Sequence, residues 1–362
     1  MADRSNGTVE IREALPEDGP ALLDVIMQIN EETEFLGTAA DRPPWAEQPA
    51  DGLRRMRESG TGVYFVALQG GESIGFLGAF PGWVERARGI VFVAHLGLRA
   101  AHRGRGIGAG LLAAIEAWAR ARQARRLELR VDVENPRALA LYRKRGFRIE
   151  GRLVDAARID GVQRDHFWMG LPLAAETEPR WEPLDPVLPA ERAELGPVSY
   201  RPIRPADAAA LQDWERAFLE EVPFLLKQAK EVAPLDQIRT EIAANAENPL
   251  QLSLGAFGGE RLLGLASVWL DRWSRSRHDS FVAVNVAREA WGRGIGRRLG
   301  AEIEAWANAR GARRLTAAFQ AQNLRGGRFA EALGFRREVL SANYVVIDGR
   351  SADRLRVAKL LS

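Results

Sequence analysis

The string Gly104-Arg105-Gly106-Ile107-Gly108 returns as Gly292-Arg293-Gly294-Ile295-Gly296, 188 residues downstream (292 − 104). The same offset carries Gly70-Gly71-Glu72 onto Gly258-Gly259-Glu260 and Ile115-Glu116-Ala117-Trp118-Ala119 onto Ile303-Glu304-Ala305-Trp306-Ala307. It also carries Gly146-Phe147-Arg148 onto Gly334-Phe335-Arg336, and Ile159-Asp160-Gly161 onto Ile347-Asp348-Gly349. Solenoid repeats are several-fold shorter, so this period means a duplicated domain, and each copy must close a core of its own. The 362 residues suit two domains of roughly 150 residues each. The first copy is assigned to residues 1–171 and the second to 198–362. Between them, Pro172, Pro179, Pro183, Pro186, Pro189 and Pro197 fix φ and remove backbone donors too often for regular structure, so residues 172–197 read as a linker.

Composition removes several function classes. With 46% hydrophobic residues the chain has ample material for cores. Cysteine is absent, which excludes disulfide scaffolds, thiolate metal sites and cysteine nucleophiles, and no metal is expected. Net charge is +3, and of the 51 Lys and Arg residues only Lys144, Lys227, Lys230 and Lys359 are lysines. The arginines are scattered among acids, which describes a solvated surface and not a nucleic-acid face. The first ten residues lack an apolar signal core, and no apolar run nears the ~20 residues of a membrane span. A cytoplasmic protein with no membrane partner is the expectation.

Within the first copy, Glu10-Ile11-Arg12 reads as a strand. Pro16-Glu17-Asp18 opens an amphipathic helix carrying Leu22, Leu23, Val25 and Ile26. Residues 62–68 and 74–80 form a hairpin around Gly70-Gly71, and 90–98 is a further strand. Leu111, Ile115, Trp118 and Arg122 make one helical stripe after the glycine segment. A strand over 127–133 follows. Then comes a helix capped by Asn135 with Pro136 at its first position, and a strand at Phe147. Two strands over 157–171 join at Asp160-Gly161.

Arg103-Gly104-Arg105-Gly106-Ile107-Gly108 thus lies between a strand and a helix start. Unpaired helical N–H groups and the positive end of the macrodipole meet there, and glycines let an anion approach the backbone. A diphosphate is the natural guest, with Arg103 and Arg105 able to add charge-assisted bonds. A dinucleotide fingerprint does not fit: five residues separate the strand from Gly104, and Arg297 breaks the pattern in the second copy. A P-loop fails because no Gly-Lys-Ser or Gly-Lys-Thr follows.

Leu96-Gly97-Leu98, R-x-x-G-x-G in the run from Arg103 to Gly108, Asn135, and Ala138-Leu139-Ala140-Leu141-Tyr142 with Gly146-Phe147 together resemble the GNAT superfamily of acetyl-CoA-dependent N-acetyltransferases. The motifs span about the central third of each copy. The resemblance implies an α/β (α+β) fold, a mixed, mainly antiparallel sheet splayed in the middle and flanked by helices, with acetyl-CoA in the cleft as cosubstrate. By that resemblance Leu96, Gly97 and Leu98 pair with pantetheine and thioester. The amides of Arg103, Gly104, Arg105, Gly106, Ile107 and Gly108 hold the diphosphate, Asn135 contacts the pantetheine arm, and Tyr142 faces the sulfur.

The implied reaction is attack of a neutral amine on a thioester, which needs positioning, oxyanion stabilisation and two proton transfers. Tyr142 is the candidate acid, because a phenol near pKa 10 is protonated at neutral pH and matches a leaving thiolate; core packing is its alternative role. The family's usual base positions fall on Phe92 and Ala94, both apolar. His95 is one residue on, and period-two alternation turns it to the opposite face, so it reads as structural. Glu31, Glu32 and Glu34 either line an amine site or form a solvated helix end.

In the second copy Trp291 stands for Arg103 and Ala330 for Tyr142. Gly292, Gly294, Gly296 and Asn323 persist, and with Val284, Asn285, Val286, Arg293 and Ile295 they make a possible second cofactor cradle. The expectation is a catalytic first domain and a degenerate second, acting on a primary amine of a small molecule or peptide, as monomer or homodimer. A non-catalytic acyl-CoA sensor or scaffold is the alternative.

Overall fold

The computed structural model describes residues 8–35, 41–175, 178–184, 195–222 and 225–361. The chain divides into two compact units: Met1–Thr177 together with Trp273–Arg275, and Glu178–Arg272 together with Ser276–Ser362. Among the described residues no helix is long and apolar enough to cross a membrane.

The first unit contains β1 (Val9–Glu13), α1 (Gly19–Glu32), α2 (Pro49–Ser59), β2 (Val63–Gln69), β3 (Glu72–Pro81) and β4 (Ile90–Leu98). It continues with α3 (Ile107–Ala121), β5 (Arg126–Asp132), α4 (Pro136–Lys144), β6 (Arg148–Ile159) and β7 (Val162–Pro172). Strand order is β1-β2-β3-β4-β5-β7-β6. Every pair is antiparallel except β4 with β5. The β2–β3 hairpin turns on Gly70 and Gly71 at φ 60° and 83°, values at which a side chain would clash with its own backbone. The sequence reading placed separate strands at Phe147 and over 157–171. The first of these and the hairpin's leading arm are one strand, β6, carried past an irregularity between Leu153 and Ala157. The helix α2 carried no sequence assignment of its own: among its residues only Gly52 and Leu53 are buried, which leaves a weak apolar period.

Both faces of the sheet are covered. Leu111, Leu112 and Ile115 of α3 are fully buried against Val91, Val93, Leu127 and Leu129 on one side. Leu22, Val25 and Ile29 of α1, with Leu53 of α2, cover Tyr64, Val66 and Phe76 on the other. At about 25 cal/mol per Å² of apolar surface removed from water, these two layers supply most of the unit's driving force.

The second unit repeats the plan with β8 (Val198–Pro202), α5 (Ala208–Glu221), α6 (Leu235–Glu247), β9 (Gln251–Gly258), β10 (Arg261–Leu270) and β11 (Asp279–Val286). Then follow α7 (Ile295–Asn308), β12 (Arg314–Gln320), α8 (Leu324–Ala332), β13 (Arg336–Ile347) and β14 (Arg350–Leu360), in the order β13-β14-β12-β11-β10-β9-β8. Within the proline-rich stretch, Arg180 bridges Ser351 and Leu184 bridges Asn323, both in this unit.

Each unit buries one arginine at the head of the strand that runs parallel to its neighbour. Arg126 is 3% exposed, with Nη2 donating to both carboxylate oxygens of Glu150 at 2.7 and 2.6 Å, and Nε lies 3.7 Å from Glu128. Arg314 repeats this with Glu338 and Asp279. Removing one member of such a set strands the others away from water. Arg126→Ala is expected to cost about 3–5 kcal/mol, read as an earlier urea midpoint. Arg126→Met together with Glu128→Leu and Glu150→Leu should recover much of it.

Candidate functional site

β4 and β5 pair only from Ile90 to Val93, against Arg126 to Leu129. At that point Phe92 stacks on Trp168, ring centroids 5.6 Å apart. Beyond it β4 stays with β3 as far as Leu98, while β5 stays with β7 as far as Asp132, so the two strands part. The Arg99 N–H donates to Ile74 O on the β3 side. Alternation then turns the polar backbone of Gly97 toward β3 and that of Leu96 and Leu98 into the gap. An extended ligand can bond there as an added strand would.

The glycine turn sits at the mouth of the gap. Gly104 and Gly106 have φ 81° and 82°, and Gly106 caps α3. A Cβ on either would meet nothing within 4 Å, so their exposed side is open. Ile107 is buried and anchors the turn in the core, whereas Arg105 projects outward. Gly108 faces Leu141, Leu98 and Leu96. Arg103 turns inward: its Nε donates to Leu98 O at 2.9 Å and its Nη2 to Glu32 at 3.1 Å. Glu32 also accepts from the Ala100 N–H at 2.8 Å, which ties the end of α1 to the turn. Glu34 pairs with Arg164, and Glu31 is solvent-exposed. Of the three sequence-stated carboxylates, Glu32 therefore belongs to the turn, an attachment no local sequence pattern announces.

Asn135 Oδ1 accepts the Ala138 N–H at 3.0 Å, capping α4. That leaves its amide NH2 as the end that can donate to a ligand. About two turns further on, Tyr142 is buried and meets Phe147 edge-on at 5.8 Å. Burial pushes its phenol up to about 12. The hydroxyl keeps its proton across the physiological range, as a donor to a leaving group must.

His95 corrects the sequence reading. Along β3–β4 the pairing runs Ala79 with Val93 and then Gly78 with His95, so Ala94 is an extra, bulged residue. One inserted residue shifts the alternation by one. His95 therefore shares the face of Phe92 and Gly97, and it lines a small recess of about 20 Å³ with Asn30, Tyr64 and Phe76. Asp41, Pro43 and Trp273, all of this unit, complete the wall. Burial, with Arg130 of β5 nearby, pushes the imidazole down to about 4, so it is neutral at pH 7. Arg130 drew no attention in the sequence because nothing marks a cation facing across a splay.

The second unit keeps the cradle and loses the rest. β11 has one residue fewer than β4, and its pairing with β10 from Gly264–Val286 to Leu270–Ser280 is unbroken, so the bulge is gone. Ala283 takes the place of His95, and Ala330 that of Tyr142. Asn323 still caps its helix, through Gly326. Gly292 and Gly294 keep φ 73° and 78°. Trp291 keeps one duty of Arg103, its Nε1 donating to Val286 O at 2.7 Å, and Arg325 stacks 4.4 Å above its ring. Val284 and Val286 face the second gap as Leu96 and Leu98 face the first, with Asn285 turned to β10, since the Ala287 N–H donates to Leu263 O. Arg293, Ile295 and Gly296 continue the turn into α7. Among the described residues no group of three or more His, Asp or Glu could hold a metal ion.

The family described as acetyltransferase (GNAT) family matches residues 25–147 and again 209–335. Among solved structures, an acetyltransferase of the GNAT family from Streptococcus pneumoniae is 28% identical, covering 46% of this chain and 99% of its own, with a TM-score of 0.43. A ribosomal-protein-alanine N-acetyltransferase from Brucella melitensis is 27% identical over 45% of this chain and 99% of its own, TM-score 0.40. A phosphinothricin acetyltransferase from Sinorhizobium meliloti, in complex with AcCoA, is 24% identical over 46% and 88%, TM-score 0.40. No curated protein matches.

The depressed pKa of His95 has a readout in stability. From its usual value of 6.5 down to about 4, the unfolded chain binds a proton that the folded chain refuses, so stability falls as pH drops through that window. The groups facing the ring are Tyr64 from β2, Asn30 from α1, Arg130 from β5 and Asp41 from the segment before α2. His95→Gln should flatten the decline in denaturation midpoint between pH 6.5 and 4.

Proposed function

From its membership of the acetyltransferase (GNAT) family, to which the chain belongs, we propose that its first unit transfers an acetyl group from acetyl-CoA to a primary amine of a small molecule or peptide. The chain is an acyltransferase by that membership. The finer assignment is supported by one coincidence: an open strand edge, a glycine turn, a protonated phenol and a neutral imidazole all occur in the unit that has the bulge. The second unit keeps the first two and lacks the others.

In this reading the open edge at Leu96 and Leu98 takes the pantetheine amides. The amides from Gly104 to Gly108 take the diphosphate, and the NH2 of Asn135 adds a donor. The amine nitrogen attacks the thioester carbonyl, the C–N bond forms and the C–S bond breaks. Tyr142 gives its proton to the departing sulfur, and His95 accepts the proton shed by the nitrogen. Neither residue changes its charge state before reaction at pH 7, so both start in the form the chemistry needs. Glu32 serves indirectly by fixing Arg103 and the turn.

The second unit is read as an acyl-CoA-binding partner without turnover, on the strength of Ala283, Ala330 and the missing bulge.

Thiol release from acetyl-CoA over a panel of amines tests the assignment. Tyr142→Phe should lower kcat by about 10²-fold or more, with little change in the KM for acetyl-CoA, while Ala330→Tyr changes kcat little. Full activity in Tyr142→Phe would remove the acid. With His95 as base, the acid limb of kcat/KM owed to the enzyme lies near pH 4, and rate gained above neutrality follows deprotonation of the acceptor. His95→Gln should lower kcat and abolish that limb.

A further inference from the structure

β5 carries a cation that the fold leaves without a counter-ion. Leu129 and Val131 are buried in the core beside α3, so alternation turns Arg130 to the opposite face, where its cross-strand neighbour on β7 is Trp168. Phe92 stacks on that same indole, and the last β4–β5 pair is Val93 with Leu129, so Arg130 stands at the head of the opening. The guanidinium is half-buried, and among the described residues it forms no hydrogen bond and no ion pair. The acids beside it on the strand are engaged elsewhere. Glu128 lies 3.7 Å from Arg126. Asp132 accepts the Glu134 N–H at 2.7 Å, and the cation that steadies its charge is Arg164. Arg130 acts on His95 instead, across the gap.

Three features point from this cation to a ligand. A guanidinium taken half out of water without an acceptor costs the fold free energy that an arriving anion returns. The second unit has Ala318 at this place, opposite Arg356, so the sheet is built without a cation there. The phosphates of a coenzyme at the glycine turn are out of reach, since the chain from His95 to Leu98 alone spans about 10 Å and the turn lies beyond it.

Resting on the acyltransfer reading, we propose that Arg130 receives the carboxylate of the acceptor, so that the amines taken are free amino acids and not amines on an uncharged body or at a peptide N-terminus. The guanidinium offers N–H donors in a planar fork, a pair of which can donate to both oxygens of one carboxylate. In an α-amino acid the carboxylate and the nitrogen share one carbon, so a carboxylate held at Arg130 keeps the amine close to His95, the base of the proposed reaction. A peptide N-terminus has a neutral amide at that place and offers the fork a single uncharged oxygen. Arg130 is then a specificity-determining residue, distinct from the proton-moving pair of His95 and Tyr142.

The test pairs each standard primary-amine L-amino acid with its carboxamide, which removes the negative charge at nearly constant size. Calorimetric affinity is measured on the full chain saturated with CoA, and thiol release is measured separately with acetyl-CoA. For the amino acid that binds best, the acid should bind at least about tenfold tighter than its amide, equivalent to 1.4 kcal/mol, and the same ratio should appear in kcat/KM through KM. Arg130→Gln, which keeps a donor and loses the charge, should bring acid and amide within about threefold. Arg130→Lys, which keeps the charge and loses the fork, should hold an intermediate ratio. An amide that binds as well as its acid, no binding by any amino acid, or a preference that survives Arg130→Gln overturns the proposal. A guanidinium that instead served the oxyanion would show as a fall in kcat for acid and amide alike with their ratio kept, which overturns it too. Preferential binding of the acid without thiol release would leave Arg130 as assigned and count against acetyl transfer. Thiol release with simple amines and with none of the amino acids would keep the transfer and sink the selection.

Discussion

β4 and β5 share only four paired residues in a sheet that is otherwise continuous through the unit. Buried backbone donors and acceptors are rarely left unmatched, because each costs free energy comparable to a lost hydrogen bond. A sheet that opens in its middle therefore needs either a ligand or solvent along the opened edge. The buried arginine set at the head of β5 secures the paired end of the two strands, and Phe92 on Trp168 lies near the end where pairing stops. The candidate site features of the first unit lie around that edge: the glycine turn at its mouth, Tyr142 on the helix after β5, and His95 on the α1 side of β4.

Much of this was legible in the chain. The 188-residue offset fixed the duplication, and glycine spacing fixed the turn, because positive φ leaves a plain mark on sequence. Asn135-Pro136 announced a helix start and the structure has Asn135 capping it. His95 shows where such reading ends. Alternation predicts facing only while a strand is regular, and nothing in Val93-Ala94-His95 marks Ala94 as the residue that leaves the ladder. The bonds of Glu32 to Ala100 and Arg103 join residues about 70 positions apart, so they too depend on tertiary placement.

Comparing the units separates what the fold requires from what the chemistry requires. Arg103 and Trp291 differ in charge and shape, yet each sends an Nε hydrogen to the last carbonyl of the strand before its turn. That bond is part of building the turn. Glu221 likewise lies 3.5 Å from the Arg288 N–H, as Glu32 lies beside Ala100. By contrast, the phenol and imidazole of the first unit have only methyl side chains in their places in the second, where the packing needs no more.

The absent bulge adds a constraint of a different kind. Exchanging Ala283 for histidine and Ala330 for tyrosine would restore the side chains, but β11 would still be one residue short, and its register with β10 would hold the backbone flat where β4 is kinked. Point substitution alone gives no route back along that strand. An in-frame insertion in that strand is needed to reopen it, and because the 188-residue offset holds at Gly70–Gly258 and again at Gly104–Gly292, the lost residue is matched by one gained before Gly264, so the divergence of the two repeats is recorded in strand register and acts as a ratchet.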